Sequence, residues 1–415
     1  MFTSDRRNNF GSTTSAMQPC PHRPPCPGCP RFGSRGPDPA ALARLSRIAS
    51  EAGAPAPEVV VGARTGFRVR ARLMVRGRAG SPKLGLFQAG SHRIVDVPRC
   101  LVHHPRVNEV AAAVRAAIRA AGVAPYADRP HRGDLRALQI VVERASGRAQ
   151  VVLVGNAREP APLAPLADAL APALGERLHS LWWNGQPERS NAVLGPLWRR
   201  LWPVPLAEGG RACAGVHEDS GASDGDAAGC VRETIGGAAV FFPPGAFGQS
   251  HLDLADRIVE RIHAWVPDGA DVAELYAGCG AIGLGLLARC RTLRFVESAP
   301  ESVRGLALGL AARPAAERAR ARVLAAPAAE ALAALEGAEV VIADPPRKGL
   351  DPAVAAALAE RPPERVVLVS CDLDAFERDA ARLTAGGRLR LAELVVFDLF
   401  PHTHHVETLA RFERC

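Results

Sequence analysis

The sequence predicts an α/β protein whose C-terminal half is a mostly parallel, doubly wound sheet with helices on both faces, preceded by an α+β domain. Three observations predict it. After Phe241, short β-branched runs alternate with helical segments in a β-α-β rhythm. One run ends in a glycine-rich turn, Glu274-Leu-Tyr-Ala-Gly-Cys-Gly280. Finally, Glu274, Glu297, Asp344 and Cys371 fall at, or just beyond, the ends of four runs, and ligands of such sheets bind beyond the carboxyl ends of the strands.

Taken in order, residues 1–16 are polar and are expected to be a disordered arm, with residues 17–235 forming the first domain. Its opening, Cys20-Pro-His-Arg-Pro-Pro-Cys26-Pro-Gly-Cys29-Pro, is too rich in proline for helix or central strand and reads as a loop wrapped around something. A short helix over 39–52 follows. Alternation from Val59 to Val97 predicts strands, most clearly at 67–76, where Arg68, Arg70, Arg72 and Arg76 share a face turned to solvent or to an anion. A helix over 106–122, strands over 135–144 and 149–155 and a helix over 162–176 come next. Residues 207–230, rich in Gly, Ala, Ser and Asp, read as a flexible insertion. Residues 236–415 form the second domain. Its strands are expected at 271–275, 292–296, near Val323, at 338–342 and at 365–369. Helices are expected at 251–266, 282–289, 300–312, 327–336, 351–361 and 373–384, and a pair near 388–399 and 405–413 closes it.

A chain of 415 residues suffices for two or three domains. The formal charge of +8 suits a partner rich in phosphate. However, the basic residues are nearly all arginine, with lysine only at 83 and 348, and the chain is rich in Ala, Gly and Pro; a GC-rich genome yields the same bias with no such partner. No apolar stretch approaches the roughly 18 residues of a membrane helix, and the N-terminus lacks a signal-like apolar core, so the cytoplasm is the expected location. In that compartment ten cysteines point to metal binding or catalysis and away from disulfides.

Gly278 and Gly280 allow a sharp turn and a close backbone approach to a ligand. Glu297, about twenty positions on, could accept both hydroxyls of a ribose, the alternative being a solvated strand-end carboxylate. There is no P-loop and no third glycine, which favours an adenosine-bearing ligand without a pyrophosphate; S-adenosylmethionine fits. Asp344-Pro-Pro-Arg347 is a rigid strand exit on which a flat base or the methyl donor could rest. Cys371 is either a nucleophile meeting that donor or a buried cysteine at a strand end. Glu407 alone reads as a surface carboxylate. Cys20, Cys26, Cys29 and Cys100 make a four-thiol set that, on spacing alone, suits zinc and a [4Fe–4S] cluster equally.

Five motifs occur in order: Phe247-Gly-Gln249-Ser, Leu275-Tyr276-Ala-Gly278, Asp344-Pro-Pro-Arg347-Lys-Gly349, Ser370-Cys371-Asp372 with Arg378-Asp379, and Pro401-His-Thr403-His-His405-Val-Glu407. In these the chain resembles the RNA 5-methyluridine methyltransferase family, from Cys20 to Phe412. The resemblance implies a class I, Rossmann-like methyltransferase domain behind an RNA-binding domain. It implies that Gln249, Tyr276, Glu297 and Asp344 hold S-adenosylmethionine, that Cys371 is the nucleophile and that Glu407 is the base. It also tips Cys20, Cys26, Cys29 and Cys100 toward a [4Fe–4S] cluster, anchoring the N-terminal loop without a redox step. Asp344-Pro-Pro-Arg347 lacks the extra cysteine of the cytosine-5 enzymes, which favours uracil. The cluster favours 23S ribosomal RNA as target; a transfer RNA enzyme and a non-catalytic iron–sulfur RNA-binding protein are the alternatives. A monomer without membrane association is expected. The chain departs from the family at His251 (usually Asn), at Leu373 (usually Pro), after Glu297 (usually Asn-Ala) and at Ala328 (usually acidic). Too few residues precede Cys20 for the small barrel that opens many relatives, so the arginines at 68, 70, 72 and 76 are expected to grip RNA.

Overall fold

The computed structural model describes residues 19–203 and 227–415. The expected arm at 1–16 and the part of the expected insertion at 207–226 lie outside the described residues. The strands in chain order are β1 Glu58–Val60, β2 Arg70–Arg78, β3 Ser81–Phe87, β4 Ile94–Asp96, β5 Leu135–Val142, β6 Ala149–Gly155, β7 Leu178–Gly185, β8 Leu197–Trp202, β9 Val231–Ile235, β10 Ala238–Phe242, β11 Asp271–Leu275, β12 Thr292–Glu297, β13 Ala321–Ala325, β14 Val340–Ala343, β15 Arg365–Ser370, β16 Leu389–Phe397 and β17 Glu407–Arg414.

They form an eight-stranded sheet ordered β1-β16-β17-β15-β14-β11-β12-β13, a seven-stranded sheet ordered β4-β3-β2-β5-β6-β7-β8, and the hairpin β9–β10. In the larger sheet, β11 to β15 pair in parallel while β17 runs antiparallel to both β15 and β16. Chain order runs outward from β11 in one direction through β12 and β13 and in the other through β14 and β15. The reversal lies between β11 and β14, which opens a crevice at their carboxyl ends. Apolar cores cover both faces of this sheet, and a third fills the space between the seven-stranded sheet and the helices Pro105–Ala121 and Ala164–Leu174.

The expected boundaries shift at two places. The helix Pro39–Glu51 buries Ala41, Leu45 and Ala49 in the core of the eight-stranded sheet, and β1 joins that sheet's edge in parallel with β16. This part of 17–235 therefore packs with the C-terminal domain. A three-residue strand carries too little periodicity to be read locally; its partner lies more than 330 residues away. The expected boundary at 236 falls within the turn of the hairpin β9–β10, both strands of which bury residues, Val231, Ile235, Val240 and Phe242, in one core with Leu254 and Ile258 of helix Leu252–Trp265. Two expected helices are 3₁₀ turns. The run at 282–289 forms one at Gly283–Ala288, where a Cβ on Gly285 would lie 2.0 Å from the Gly236 carbonyl oxygen. That at 327–336 forms two, Ala328–Glu330 and Leu332–Leu335.

Candidate active site

Strand register brings together the two residues assigned to the chemistry. In the β15–β17 pair Ser370 faces Thr408, so Cys371, one step past β15, lies opposite Glu407, the first residue of β17. Thr408 Oγ1 donates to the Ser370 carbonyl at 3.0 Å, pinning the strands at that point. On the other side of β15, Ala343 of β14 pairs with Leu368, so Asp344 emerges from the same edge. Cys371, Glu407, Asp344 and Arg347 sense one another electrostatically. Arg347, which has no role legible in the sequence, is a cation acting on both the thiol and the carboxyl.

Burial dominates the electrostatics here. It pushes the Cys371 thiol up to about 11, with Glu407 and Asp344 adding to the shift and Arg347 opposing it. Asp344 is pushed up to about 6 by burial. Glu407, 1% exposed and with Oε2 unpartnered among the described residues, is held well above the usual carboxylate range by burial and then by Asp344, again against Arg347. The site is thus one thiol and two carboxyls, all biased toward their protonated forms, with one guanidinium beside them.

Of the residues assigned to the methyl donor, Tyr276, Glu297 and Asp344 lie at the carboxyl ends of β11, β12 and β14. Gly278 and Gly280 hold φ of 56° and 80°, the left-handed region where glycine is at ease. The Glu297 carboxylate stitches this turn to β12: Oε2 accepts from Gly278 N–H at 2.8 Å, and Oε1 accepts from Ser298 and Ala299 N–H, each at 2.7 Å. Three of its roughly four acceptor positions are thereby used, leaving little for a ribose. Tyr276 is itself left-handed, at φ 58°, and its hydroxyl is committed to Asp351, donating to Oδ2 at 3.1 Å and accepting from N–H at 3.2 Å. Gln249 is half-buried beside Gly248, which packs so closely on Arg70 that a Cβ there would lie 2.6 Å from Nη2. Phe247, two residues earlier, is 70% exposed.

Glu274 is not a rim residue. It lies beneath the turn, 2% exposed, with Oε2 unpartnered among the described residues and only 2.1 Å from where a Cβ on Gly283 would stand. Burial, then Asp344, holds its carboxyl well above the ordinary value. The folded state therefore binds this proton more tightly than the unfolded chain does. Its stabilising contribution is complete below the unfolded pKa and is lost as pH rises through the folded one, at up to about 1.4 kcal/mol per pH unit. Glu274→Gln, neutral and nearly isosteric, should escape that loss. Its melting temperature relative to wild type should climb between pH 5 and pH 8; a difference independent of pH would refute this account.

Arg378 and Asp379, motif residues with no role legible in the sequence, clamp the segment that follows Asp344-Pro-Pro-Arg347. Asp379 Oδ2 accepts from Leu350 N–H at 2.7 Å, and Arg378 donates to the Lys348 carbonyl. Gly349 sits at φ 81° with no room for a side chain, because a Cβ would lie 2.2 Å from Asp379 Oδ2. The alternating arginines of the first domain are largely occupied within the protein. Arg68 lies against the cysteine loop, Arg70 stacks on Phe242 at 4.3 Å, Arg72 Nε donates to Gln139 at 2.7 Å, and Arg76 pairs with Asp128 at 3.1 Å. Only Arg72 among them is exposed, so a free basic row is not what this strand presents.

Cys20, Cys26, Cys29 and Cys100 are free, half-buried thiols that converge. Burial, and then Cys100, Cys26 and Cys20, push Cys29 up to about 12, while Arg68 opposes the shift. Among the described residues, no group of three or more Cys, His, Asp or Glu side chains stands in a geometry that could hold a metal ion. In donor chemistry alone, four thiols are what a soft metal centre takes. Four thiolates here would repel one another, with Arg68 opposing that only at Cys29 and Cys100, and a cationic centre would relieve it.

The tRNA (Uracil-5-)-methyltransferase family model matches residues 241–414. An uncharacterized RNA methyltransferase of Protochlamydia amoebophila is 32% identical over 359 residues, covering 85% of this chain and 87% of the relative. One from Gloeobacter violaceus is 31% identical over 438 residues, covering 98% and 86%. The crystal structure of Pyrococcus abyssi tRNA (uracil-54, C5)-methyltransferase in complex with S-adenosyl-L-homocysteine shares the fold, with a TM-score of 0.70 at 21% identity over 93% of this chain and 86% of that one. With Cys371 and Glu407 opposed where β15 ends and β17 begins, this chain belongs to the RNA (uracil-5-)-methyltransferase family.

Proposed function

We propose that this protein transfers a methyl group from S-adenosylmethionine to carbon 5 of one uridine in 23S ribosomal RNA, through a covalent adduct between Cys371 and carbon 6. The observation that carries the mechanism is the register that sets Cys371 against Glu407 beside Asp344 and Arg347. Carbon 5 of uracil is a poor nucleophile. Addition of the Cys371 thiolate to carbon 6 converts the ring to an enolate, and carbon 5 then attacks the donor's methyl, releasing S-adenosylhomocysteine. Glu407 next removes the carbon 5 proton. The electron pair re-forms the ring double bond as the carbon 6–sulfur bond breaks, returning Cys371 as thiolate.

The raised pKa values of Cys371, Asp344 and Glu407 give these steps an order. The free site keeps its thiol protonated; the donor's sulfonium brings a positive charge that lowers the pKa of Cys371, Asp344 and Glu407 together. Methyl transfer removes that charge. Glu407 then reverts to a buried, strongly basic carboxylate at the step that needs a base. Gln249, Tyr276, Glu297 and Asp344 hold the donor in this reading, with Glu297 acting partly through the Gly278 turn that it anchors. Glu297→Ala should weaken S-adenosylmethionine binding by isothermal calorimetry; unchanged affinity would remove Glu297 from the set.

Cys20, Cys26, Cys29 and Cys100 would hold a [4Fe–4S] cluster that anchors the N-terminal loop. Protein purified anaerobically should be brown, with about four irons per chain, and Cys29→Ala should be colourless. A colourless wild type containing zinc would overturn the cluster. The target is tested by mapping 5-methyluridine in RNA from a deletion strain. One 23S position should lose its methyl and regain it on complementation with the wild type only, not with Cys371→Ala. Loss confined to transfer RNA would overturn the ribosomal assignment.

A further inference from the structure

Glu407 Oε2 has no hydrogen-bond partner of its own among the described residues, so its aim depends on the backbone that delivers it. That backbone is the turn Pro401–Val406, and it is held from the far end of the chain. Arg31, two residues beyond Cys29, donates its N–H to the His402 carbonyl at 2.8 Å and Nη1 to the Thr403 carbonyl at 3.3 Å. The Phe32 ring packs on the His402 imidazole at 4.7 Å between centroids. His402 Nε2 lies 3.0 Å from the Arg64 carbonyl oxygen and so must carry the proton there, leaving Nδ1 as the acceptor 3.4 Å from Arg64 Nη2. Arg64 in turn pairs with the buried Asp398 and donates to Ser34 Oγ at 3.0 Å.

His402 is 1% exposed and sits at φ 69°, a conformation that a side chain other than glycine adopts only when its surroundings impose it. We propose that His402 is a positioning residue for the methyl transfer. Clamped by Arg31 and Arg64, it sets the turn that aims Glu407, and thereby couples the fold of the cysteine loop to the proton-removal step. This rests on the reading of Glu407 as the base.

If the base is misaimed while the thiol is intact, addition and methylation proceed but the adduct is not resolved. His402→Ala, incubated with unmodified RNA substrate and S-adenosylmethionine, should accumulate a covalent protein–RNA complex on a denaturing gel. Its kcat should drop at least tenfold with KM falling alongside it, because the slowed step follows adduct formation, while donor affinity stays within twofold of wild type. His402→Asn, which tolerates the left-handed backbone and keeps a polar side chain, should recover most of the turnover. Arg31→Ala, altered at a less buried position, should show the same accumulation more weakly. A His402→Ala protein that binds the donor normally and turns over at the wild-type rate without accumulating adduct would overturn the proposal. Glu407→Gln separates the two readings. If it fails to accumulate adduct, the assignment of the base falls; if it accumulates adduct while His402→Ala and Arg31→Ala do not, the clamp alone falls.

Discussion

Replacing Cys371 with alanine should abolish methyl transfer, lowering turnover by roughly 10⁴-fold or more, the scale on which removal of a nucleophile acts. The change should be confined to chemistry. Cys371 is half-buried at a strand end, and its loss leaves the Ser370–Thr408 contact that closes β15 on β17 intact. Methyl transfer from radiolabelled S-adenosylmethionine measures the rate, and an RNA carrying 5-fluorouridine tests the cause. Fluorine at carbon 5 cannot leave as a proton does, so the wild type should form a stable adduct and Cys371→Ala none. An adduct persisting in the alanine variant would sink the assignment. Because burial, Glu407 and Asp344 push the thiol up to about 11, alkylation of Cys371 in the free enzyme should keep rising about tenfold per pH unit beyond pH 9. An ordinary thiol of pKa about 8.5 would already have levelled off there.

Glu407→Gln should have the next largest effect, a fall of roughly 10²–10⁴-fold from loss of a positioned base, with a distinct signature. The amide matches the carboxyl in shape and suits a buried site in which Oε2 has no partner, so folding should be preserved. Addition to carbon 6 and methylation of carbon 5 do not require the base, whereas release does. Unmodified RNA should therefore remain attached to the variant as a methylated adduct, detected as a mass increase on the tryptic peptide bearing Cys371. Rapid turnover without a trapped intermediate would assign proton removal elsewhere, with His404 and His405 of the same motif as candidates. His404 is already engaged, its Nδ1 lying 3.0 Å from Asp38 Oδ2.

Much of the catalytic half was legible from local pattern. The alternation of β-branched runs with helical segments produced strands β11, β12, β14 and β15 within a residue or two of where they lie, because a buried parallel strand is a short continuous apolar run whatever its neighbours are. Cys371 and Asp344 were legible for the same reason: a functional residue at the carboxyl end of such a strand has its address written in the strand itself. Two expected helices failed where glycine-rich or short segments tighten against neighbouring backbone. Glu274 read as a rim group and is a buried one, since strand position alone does not say whether the following turn folds over a side chain.

By itself, the sequence determined the class of fold, the order of the motifs and the identity of the thiol, all properties of contiguous stretches. Only the tertiary structure decided what those residues face. It set Glu407 against Cys371 through an antiparallel pairing between segments 38 residues apart, and it put Arg347 beside both. It gave Arg378 and Asp379 a loop to hold, turned Arg70 of β2 onto the Phe242 ring, and joined β1 and the helix before it to the far edge of the catalytic sheet. The physical reason is common to all of these. Burial, register and the field at a carboxyl are sums over neighbours brought close by folding, and no window along the chain contains those neighbours.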